Sequence, residues 1–162
     1  MYQMPIHRPK VQFVAGIDPD LDKSGLVIYD RKENAWFCKT VTQYELQEII
    51  ISEYKAEEIE IFVESGWDNN GFFHIEKFPE TWKDWDEDKK LKYIAKAATR
   101  VGENFGVGKS IVHILTANGF KVQTRPPKSA KWDTHTFKRA TGLEKGYNEE
   151  IRDACRTMWD FK

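Results

Sequence analysis

The stretch that decides the fold of this chain is GIDPDLDKSG, residues 16–25. It overlaps the end of an apolar run, residues 11–17, whose length and composition are typical of a buried strand. Asp18 ends that run, and the residues after it belong to the types that form turns: Pro19, Asp20, Asp22 and Gly25. An aspartate at the end of a buried strand can be a turn former, a phosphate-loop residue or a metal ligand. The rest of the chain has to distinguish these roles.

The segments that follow predict an antiparallel meander. Residues 24–30 form the hairpin partner of the first strand, and residues 35–41 extend the sheet after the turn RKEN. A helix follows within TQYELQEIIISEYK, because Thr42 and Glu45 have the spacing of a capping box. Residues 58–65 alternate in polarity, which predicts a strand that returns after the helix and lies parallel to the first strand.

The second half of the chain is predicted to be mostly helical. Residues 66–88 mix aromatic, acidic and glycine residues without a period, which predicts a long loop within an insertion at about residues 66–96. The remaining predicted elements are helices at about residues 89–100 and 108–118, a strand at 120–124, and two helices capped by Asp133 and Asn148. This order predicts an α/β fold with a mixed five-stranded sheet, in which parallel strands are added to three antiparallel ones and helices flank the sheet.

Length and composition favour a soluble protein with one domain, residues 1–162. With 40% apolar and 31% charged residues, the chain can build a core and is too polar for a membrane protein. The apolar runs are too short to span a bilayer, and MYQMPIHRPK at the start has no apolar signal core. We therefore expect a cytoplasmic protein without a membrane partner, in which Cys38 and Cys155 are buried and have no chemistry.

The net charge of −1 hides an asymmetry between the two halves of the chain. Residues 1–88 contain 9 Lys and Arg against 19 Asp and Glu, whereas residues 89–162 contain 16 against 7. The basic half is typical of a surface that binds a polyanion, and the acidic half would repel a polyanion unless metal ions neutralise it. The alternative is that the two halves simply attract each other in the fold.

The terminal helix combines an apolar stripe with acids at its border. The stripe follows i, i+3, i+4, i+7 spacing and consists of Ile151, Ala154, Cys155 and Met158. Glu149 and Glu150 are explained by the positive amino end of the helix. Asp153 is not, since aspartate is a poor helix former in the second turn and needs another reason, such as a nearby arginine or a metal ion.

Four carboxylates therefore stand out, namely Asp18, Glu64, Glu150 and Asp153. If the strands that end at Asp18 and Glu64 are adjacent and parallel, both acids lie at the same edge of the sheet, where α/β folds bind ligands. A helix across that edge would add the other two. Carboxylates so close repel one another unless they share protons or divalent cations, and Mg²⁺ prefers carboxylate oxygens. Clustered acids in a partly basic chain suggest two-metal cleavage of phosphodiesters.

Four motifs, in this order along the chain, resemble those of RuvC-type Holliday junction resolvases of the RNase H-like superfamily. They are AGIDPDLDKSG, IFVES, VGENFGVGKSIVHILTANGFKV and EEIRDA. The resemblance covers about residues 11–64 and 100–160, and it suggests a phage-type relative, which would act in the cytoplasm of a bacterial host.

The resemblance implies an RNase H-like nuclease domain and names its site. Asp18, Glu64, Glu150 and Asp153 would be both the catalytic residues and the ligands of two Mg²⁺ or Mn²⁺ ions. The protein would be a homodimer that binds branched DNA and resolves four-way junctions by paired nicks. Two positions depart from the family pattern: Asp20 stands where the resolvases often have glycine, and Glu149 competes with Glu150 as the ligand.

The motif GVGKS, residues 106–110, is similar to part of a phosphate loop, but Glu103 occupies the position of the first required glycine. The resemblance implies another role for Gly102, Gly106 and Gly108, which would let this helix approach the sheet or the DNA backbone closely. The basic residues that we expect to contact DNA phosphates are Lys109, Arg125, Lys128, Lys131, Lys138 and Arg139. Lys128 and Lys131 are expected to lie nearest the phosphate that is cut.

Two other functions are compatible with parts of this pattern. An actin-like or sugar-kinase-like phosphotransferase shares the opening strand, acid and glycine, although such chains are typically far longer. A non-catalytic protein that binds branched DNA would have the basic residues without working carboxylates. The aromatic residues of the insertion could stack on bases or pack against each other: Trp67, Phe72, Phe73, Trp82 and Trp85.

Overall fold

The structure is a computed structural model that describes residues 11–69, 78–128 and 130–162. Its strands are β1 (Phe13–Asp18), β2 (Ser24–Asp30), β3 (Ala35–Val41), β4 (Ile59–Glu64) and β5 (Lys121–Arg125). Its α-helices are α1 (Gln43–Glu53), α2 (Glu87–Ala117), α3 (Thr134–Thr141) and α4 (Glu149–Met158). Short 3₁₀ turns cover Gly66–Asp68, Glu80–Asp84 and Trp159–Phe161. No helix in the described ranges is long and apolar enough to cross a membrane.

The predicted mixed sheet is confirmed. Its five strands lie in the order β3-β2-β1-β4-β5, with antiparallel pairing among the first three and parallel pairing of β1 with β4 and of β4 with β5. Ile17 is opposite Val63 in the β1–β4 register, so the two strands end side by side. Asp18 and Glu64 therefore reach the same edge of the sheet.

Alternation along the strands divides the core into two layers. Ala15 and Ile17 of β1 face the layer that includes residues of α1 and α2, whereas Val14 faces the layer built with α4. By the same period of two, Gly16 and Asp18 lie on the α4 face. The sheet therefore presents Asp18 towards the terminal helix and not towards the long one.

Two glycines let α4 lie directly on the sheet. A Cβ atom at Gly16 would come within 2.0 Å of the Ala154 carbonyl oxygen, and one at Gly25 within 2.1 Å of the Glu150 carbonyl oxygen. Any larger residue would push the helix away, because the obstructing atoms belong to backbone. This close approach brings the first turns of α4 next to the end of β1.

The predicted helix caps are also confirmed. Thr42 and Glu45 form the reciprocal capping box of α1. Asp133 accepts from the Thr136 N–H at the start of α3, and Asn148 accepts from the Ile151 N–H at the start of α4. The stripe of α4 is buried as expected, with the four predicted residues at 2% exposure or less.

The prediction of two helices between residues 89 and 118 is wrong, because α2 is one continuous helix of 31 residues. Glycine costs only about 1 kcal/mol relative to alanine in a helix interior, so the helix formers on both sides carry it through Gly102 and Gly106. The loop predicted for residues 66–88 contains two 3₁₀ turns, and its residues Phe72 and Phe73 lie outside the described part. Trp82 and Trp85 pack with Phe78 and Tyr93.

Candidate active site

The four predicted carboxylates line one cavity of about 210 Å³ at the carboxyl edge of the sheet. We call it the acidic cavity. Its charged lining residues are Asp18, Asp20, Glu64, Glu149, Glu150, Asp153 and Lys131. The sequence prediction that the ends of β1 and β4 and the start of α4 meet is thus satisfied in three dimensions. Their roles as ligands stay a prediction.

Burial and electrostatic repulsion raise the pKa values of Asp18 and Glu64, the two acids at the strand ends. Burial, reinforced by the charges of Glu64 and Asp153, raises the pKa of Asp18 well above its usual range. Burial and the charge of Asp153 likewise raise the pKa of Glu64 to about 7. The protein places more negative charge here than its own cations neutralise, and such a site favours protons or added cations.

Thr157, one turn beyond Asp153, is a residue that the sequence analysis missed. Its hydroxyl donates to the Asp153 carbonyl at 2.9 Å and lies 3.5 Å from a Glu64 carboxylate oxygen. The shorter bond holds the hydroxyl proton, so Glu64 receives only a weak contact. No signal distinguished Thr157 in the sequence except its place on the same helix face as Asp153.

Among the described residues that line the acidic cavity, Lys131 is the single one with a cationic side chain. Its Nζ lies 2.9 Å from an Asp153 oxygen and also pairs with Glu149. Although partial burial opposes it, the bonds to Glu149 and Asp153 raise the pKa of Lys131 above its ordinary value. The ammonium group is therefore charged and neutralises part of the cluster.

Glu149 and Glu150 both line the acidic cavity but differ in their electrostatic neighbours, and which of them is a ligand stays a prediction. Glu149 pairs with Lys131, whereas Glu150 contributes to the repulsion that raises the pKa of Asp18. Glu150 is therefore the glutamate of α4 that acts electrostatically on the end of β1.

Asp20, which departs from the family pattern, is a turn residue here. Its carboxylate accepts from the backbone N–H of Asp22 at 2.9 Å and of Lys23 at 3.4 Å. Asn104 of α2 connects the same turn to the long helix. Its side-chain oxygen accepts from the Leu21 N–H at 3.0 Å, and its side-chain nitrogen donates to the Asp20 carboxylate at 3.4 Å. Asn104 also lines the acidic cavity and was not anticipated from the sequence.

A second, smaller cleft of about 30 Å³ adjoins the acidic cavity. We call it the basic cleft, because its charged lining residues are Arg125, Lys128, Lys131, Arg156, Glu64 and Asp153. The two spaces share Glu64, Lys131 and Asp153 as a common wall. A space lined mainly by acids and a space lined mainly by cationic side chains are thus adjacent.

The six predicted DNA contacts divide into three that line the basic cleft and three that line neither space. Arg125, Lys128 and Lys131 line the basic cleft, and Lys109 lies 6.0 Å from the ring of Trp67 at the acidic cavity. Lys138 and Arg139 are exposed in the last turn of α3 and line neither space. Arg156 belongs to the basic cleft and was not predicted.

The donor chemistry of the acidic cavity fits Mg²⁺ or Mn²⁺, because its ligands would be carboxylate oxygens whose charge is not neutralised. The geometry is not a ready-made cage, however. Across residues 11–69, 78–128 and 130–162, no group of three or more His, Cys, Asp or Glu side chains is arranged to hold a metal ion. One of the candidate ligands, Asp153, is paired with Lys131.

No protein-family model and no curated protein matches this chain. Among solved structures, the chain is similar to T. thermophilus RuvC in complex with a Holliday junction substrate. The match covers 90% of each chain with a TM-score of 0.53 and 13% sequence identity. At that identity the similarity establishes the fold, so the predicted RuvC-like, RNase H-like architecture is confirmed. The phage-type relationship stays a prediction.

Proposed function

We propose that this protein is a metal-dependent endonuclease that resolves four-way DNA junctions by paired nicks. The observation that carries the proposal is the convergence of Asp18, Glu64, Glu150 and Asp153 on one cavity. It is supported by the RuvC-like fold and by the basic cleft beside that cavity. We propose Mg²⁺ or Mn²⁺ as the cofactor, with two ions per site.

Two bound divalent ions would supply Lewis acidity, which activates a water molecule and stabilises the departing 3′ oxygen. The four carboxylates would hold these ions from two sides. Asp18 and Glu64, at the ends of two hydrogen-bonded strands, provide the rigid side of the ligand set. Glu150 and Asp153 complete it from α4. No covalent protein intermediate is required.

Lys131 has to change partners when the site is loaded. Its bond to Asp153 neutralises a carboxylate that the proposal assigns to a metal ion. Because Lys131 also lines the basic cleft, its ammonium group would be placed to pair with a DNA phosphate in that cleft in place of Asp153. Asp153 would then be free to serve as a metal ligand, and a DNA phosphate would take its place as the partner of Lys131.

Branched DNA and a homodimer are part of the proposal. The similar RuvC structure was solved with a Holliday junction substrate, and paired nicking of a four-way junction needs two sites. A second copy of this chain would supply the second site.

The Lys131–Asp153 pair also favours a second candidate, a protein that binds branched DNA without cutting it. In such a protein the lysine would stay in place permanently and the acids would be structural. A phosphotransferase is the third candidate, and it would bind ATP.

A nicking assay separates these candidates. Purified protein with Mg²⁺ is offered a synthetic four-way junction beside matched duplex and flap DNA. We expect symmetric nicks in the junction, lost in Asp18→Asn and Asp153→Asn while junction binding persists. Asp22→Asn is the matched control, because Asp22 is exposed on the same turn and lies outside the acidic cavity. Tight binding without nicks supports the second candidate, and ATP binding by calorimetry supports the third.

A further inference from the structure

The basic cleft is bordered by the last turn of the chain, Trp159–Phe161. The ring of Phe161 stacks on Phe62 of β4 with centroids 4.1 Å apart and planes 15° apart. The guanidinium carbon of Arg125 lies 4.5 Å from the centroid of Phe161 and 5.6 Å from that of Phe62. Two aromatic rings thus hold the guanidinium beside Glu64, its neighbour in the β4–β5 register.

Arg125 keeps most of its hydrogen-bonding capacity unused. Its Nη2 makes one long bond of 3.4 Å to Gln123, and its Nε is buried without a partner among the described residues. A guanidinium has five N–H donors in a planar arrangement that matches phosphate. A group held by stacking but not saturated by protein acceptors is suited to binding an external oxyanion.

The same turn also holds a second cation of the cleft. Asp160 pairs with Lys128 at 2.6 Å. The turn is itself fixed by Arg31, which donates to the Phe161 carbonyl oxygen, and by Lys162, whose Nζ lies 4.5 Å from the ring of Trp159. Arg156, the fourth cation, makes no ion pair or hydrogen bond through its side chain with another described residue, so it too is available to an anion.

We propose that the basic cleft binds one phosphate of the DNA backbone beside the acidic cavity, and that Phe161 is a positioning residue which holds Arg125 for this contact. The four cations of the cleft exceed its two carboxylates, and the shared wall places the bound phosphate beside the acidic cavity. This inference rests on the proposed function only in taking DNA as the ligand.

The test measures binding of a fluorescent four-way junction and of a matched duplex in EDTA, as a function of salt concentration. Arg125→Gln should weaken binding about tenfold, because a charged hydrogen bond is lost. It should also reduce the slope of log K against log salt by about 0.9, the value for one phosphate contact. Phe161→Leu should lower the slope in the same way although it removes no charge, and Phe161→Tyr should restore it.

Controls separate positioning from damage to the fold. Lys32→Gln removes an exposed charge from the β2–β3 turn, at the opposite end of the sheet, and should leave the slope unchanged. Melting temperatures are measured in parallel, because loss of stability alone does not change the slope. If Phe161→Leu does not fold, Phe161→Met serves in its place, because its flexible side chain adapts to the gap without offering an aromatic face.

The outcomes distinguish this inference from the proposed nuclease. Reduced slopes in the Arg125 and Phe161 variants of a protein that never nicks DNA would support the phosphate cleft and overturn the nuclease. A wild-type slope in Arg125→Gln would overturn the cleft even if the protein cuts junctions. A reduced slope in Arg125→Gln with a wild-type slope in folded Phe161→Leu would overturn the positioning role.

Discussion

Lys131 Nζ lies 2.9 Å from an Asp153 carboxylate oxygen, so one of the proposed metal ligands is already paired with a cation of the protein. The pair joins α4 to the loop after β5, and it lies in the wall between the acidic cavity and the basic cleft. Lys131 neutralises part of the charge of the cluster, and a metal ion at the proposed site would compete with it for Asp153. Removal of Lys131 should have opposite effects on metal binding and on DNA cutting.

The first prediction concerns Lys131→Gln. Without DNA, the variant should bind Mn²⁺ several-fold more tightly, because no ammonium group competes for Asp153. Its nicking rate in saturating metal should fall, because the phosphate loses a cation. Calorimetric titration with Mn²⁺ and single-turnover nicking measure the two effects. Weaker Mn²⁺ binding in the variant would show that Lys131 supports the ligand set and does not compete with metal.

The second prediction concerns pH and stability without metal. Glu64 has its pKa raised from 4.5 to about 7 in the folded protein, so the folded state binds its proton more tightly than the unfolded state does. The resulting stabilisation is fully present below pH 4.5 and is lost as the pH rises through 7. Glu64→Gln removes this dependence, which we expect to be on the order of 2 kcal/mol.

Urea unfolding in EDTA between pH 5 and pH 8 checks this prediction. Exposed Glu53→Gln, at the end of α1, is the matched control and should retain the wild-type dependence. If the free energy of unfolding depends on pH equally in wild type and in Glu64→Gln, Glu64 does not titrate in this range.

The third prediction concerns stabilisation by metal. Addition of Mg²⁺ should raise the melting temperature of the wild-type protein, since a ligand that binds only the folded state stabilises it. Asp18→Asn should melt higher than wild type in EDTA at pH 8, because a buried charge and its repulsion of Glu64 and Asp153 are removed. The same variant should lose the Mg²⁺ response.

Differential scanning calorimetry with and without Mg²⁺ measures both effects, with Asp22→Asn as control. An Asp18→Asn protein that is less stable than wild type in EDTA would indicate a structural role for the carboxylate.

The fourth prediction concerns the close packing of α4 against the sheet. Gly16→Ala places a Cβ 2.0 Å from the Ala154 carbonyl oxygen, so the helix has to move and the protein should lose about 2 kcal/mol or more. Gly102→Ala is the matched control, because a Cβ there meets no atom within 4 Å in the interior of α2. It should gain about 1 kcal/mol from helix propensity. Chemical unfolding of both variants measures these changes in stability. An unchanged free energy of unfolding in Gly16→Ala would mean that α4 shifts without a cost in stability.

Much of the fold could be predicted because its signals are local. The alternation in residues 58–65 predicted a strand, and the capping residues Thr42, Asp133 and Asn148 predicted where helices begin. Each of these signals depends only on neighbours within a few residues. The predicted break within α2 is wrong. Gly102 and Gly106 suggest that a helix ends near them, but the cooperativity of a helix of 31 residues outweighs the cost of these two glycines.

The sequence by itself determined which acids follow strands and which acids border the stripe of α4, because strand and helix periods place residues on faces. Only the tertiary structure decided that these acids share a cavity, since that depends on the parallel pairing of β1 with β4 and on the room that Gly16 and Gly25 leave for α4. Contacts between distant segments, such as Lys131 with Asp153 and Phe161 with Arg125, have no local signal. They arise only when the packed core brings those segments together.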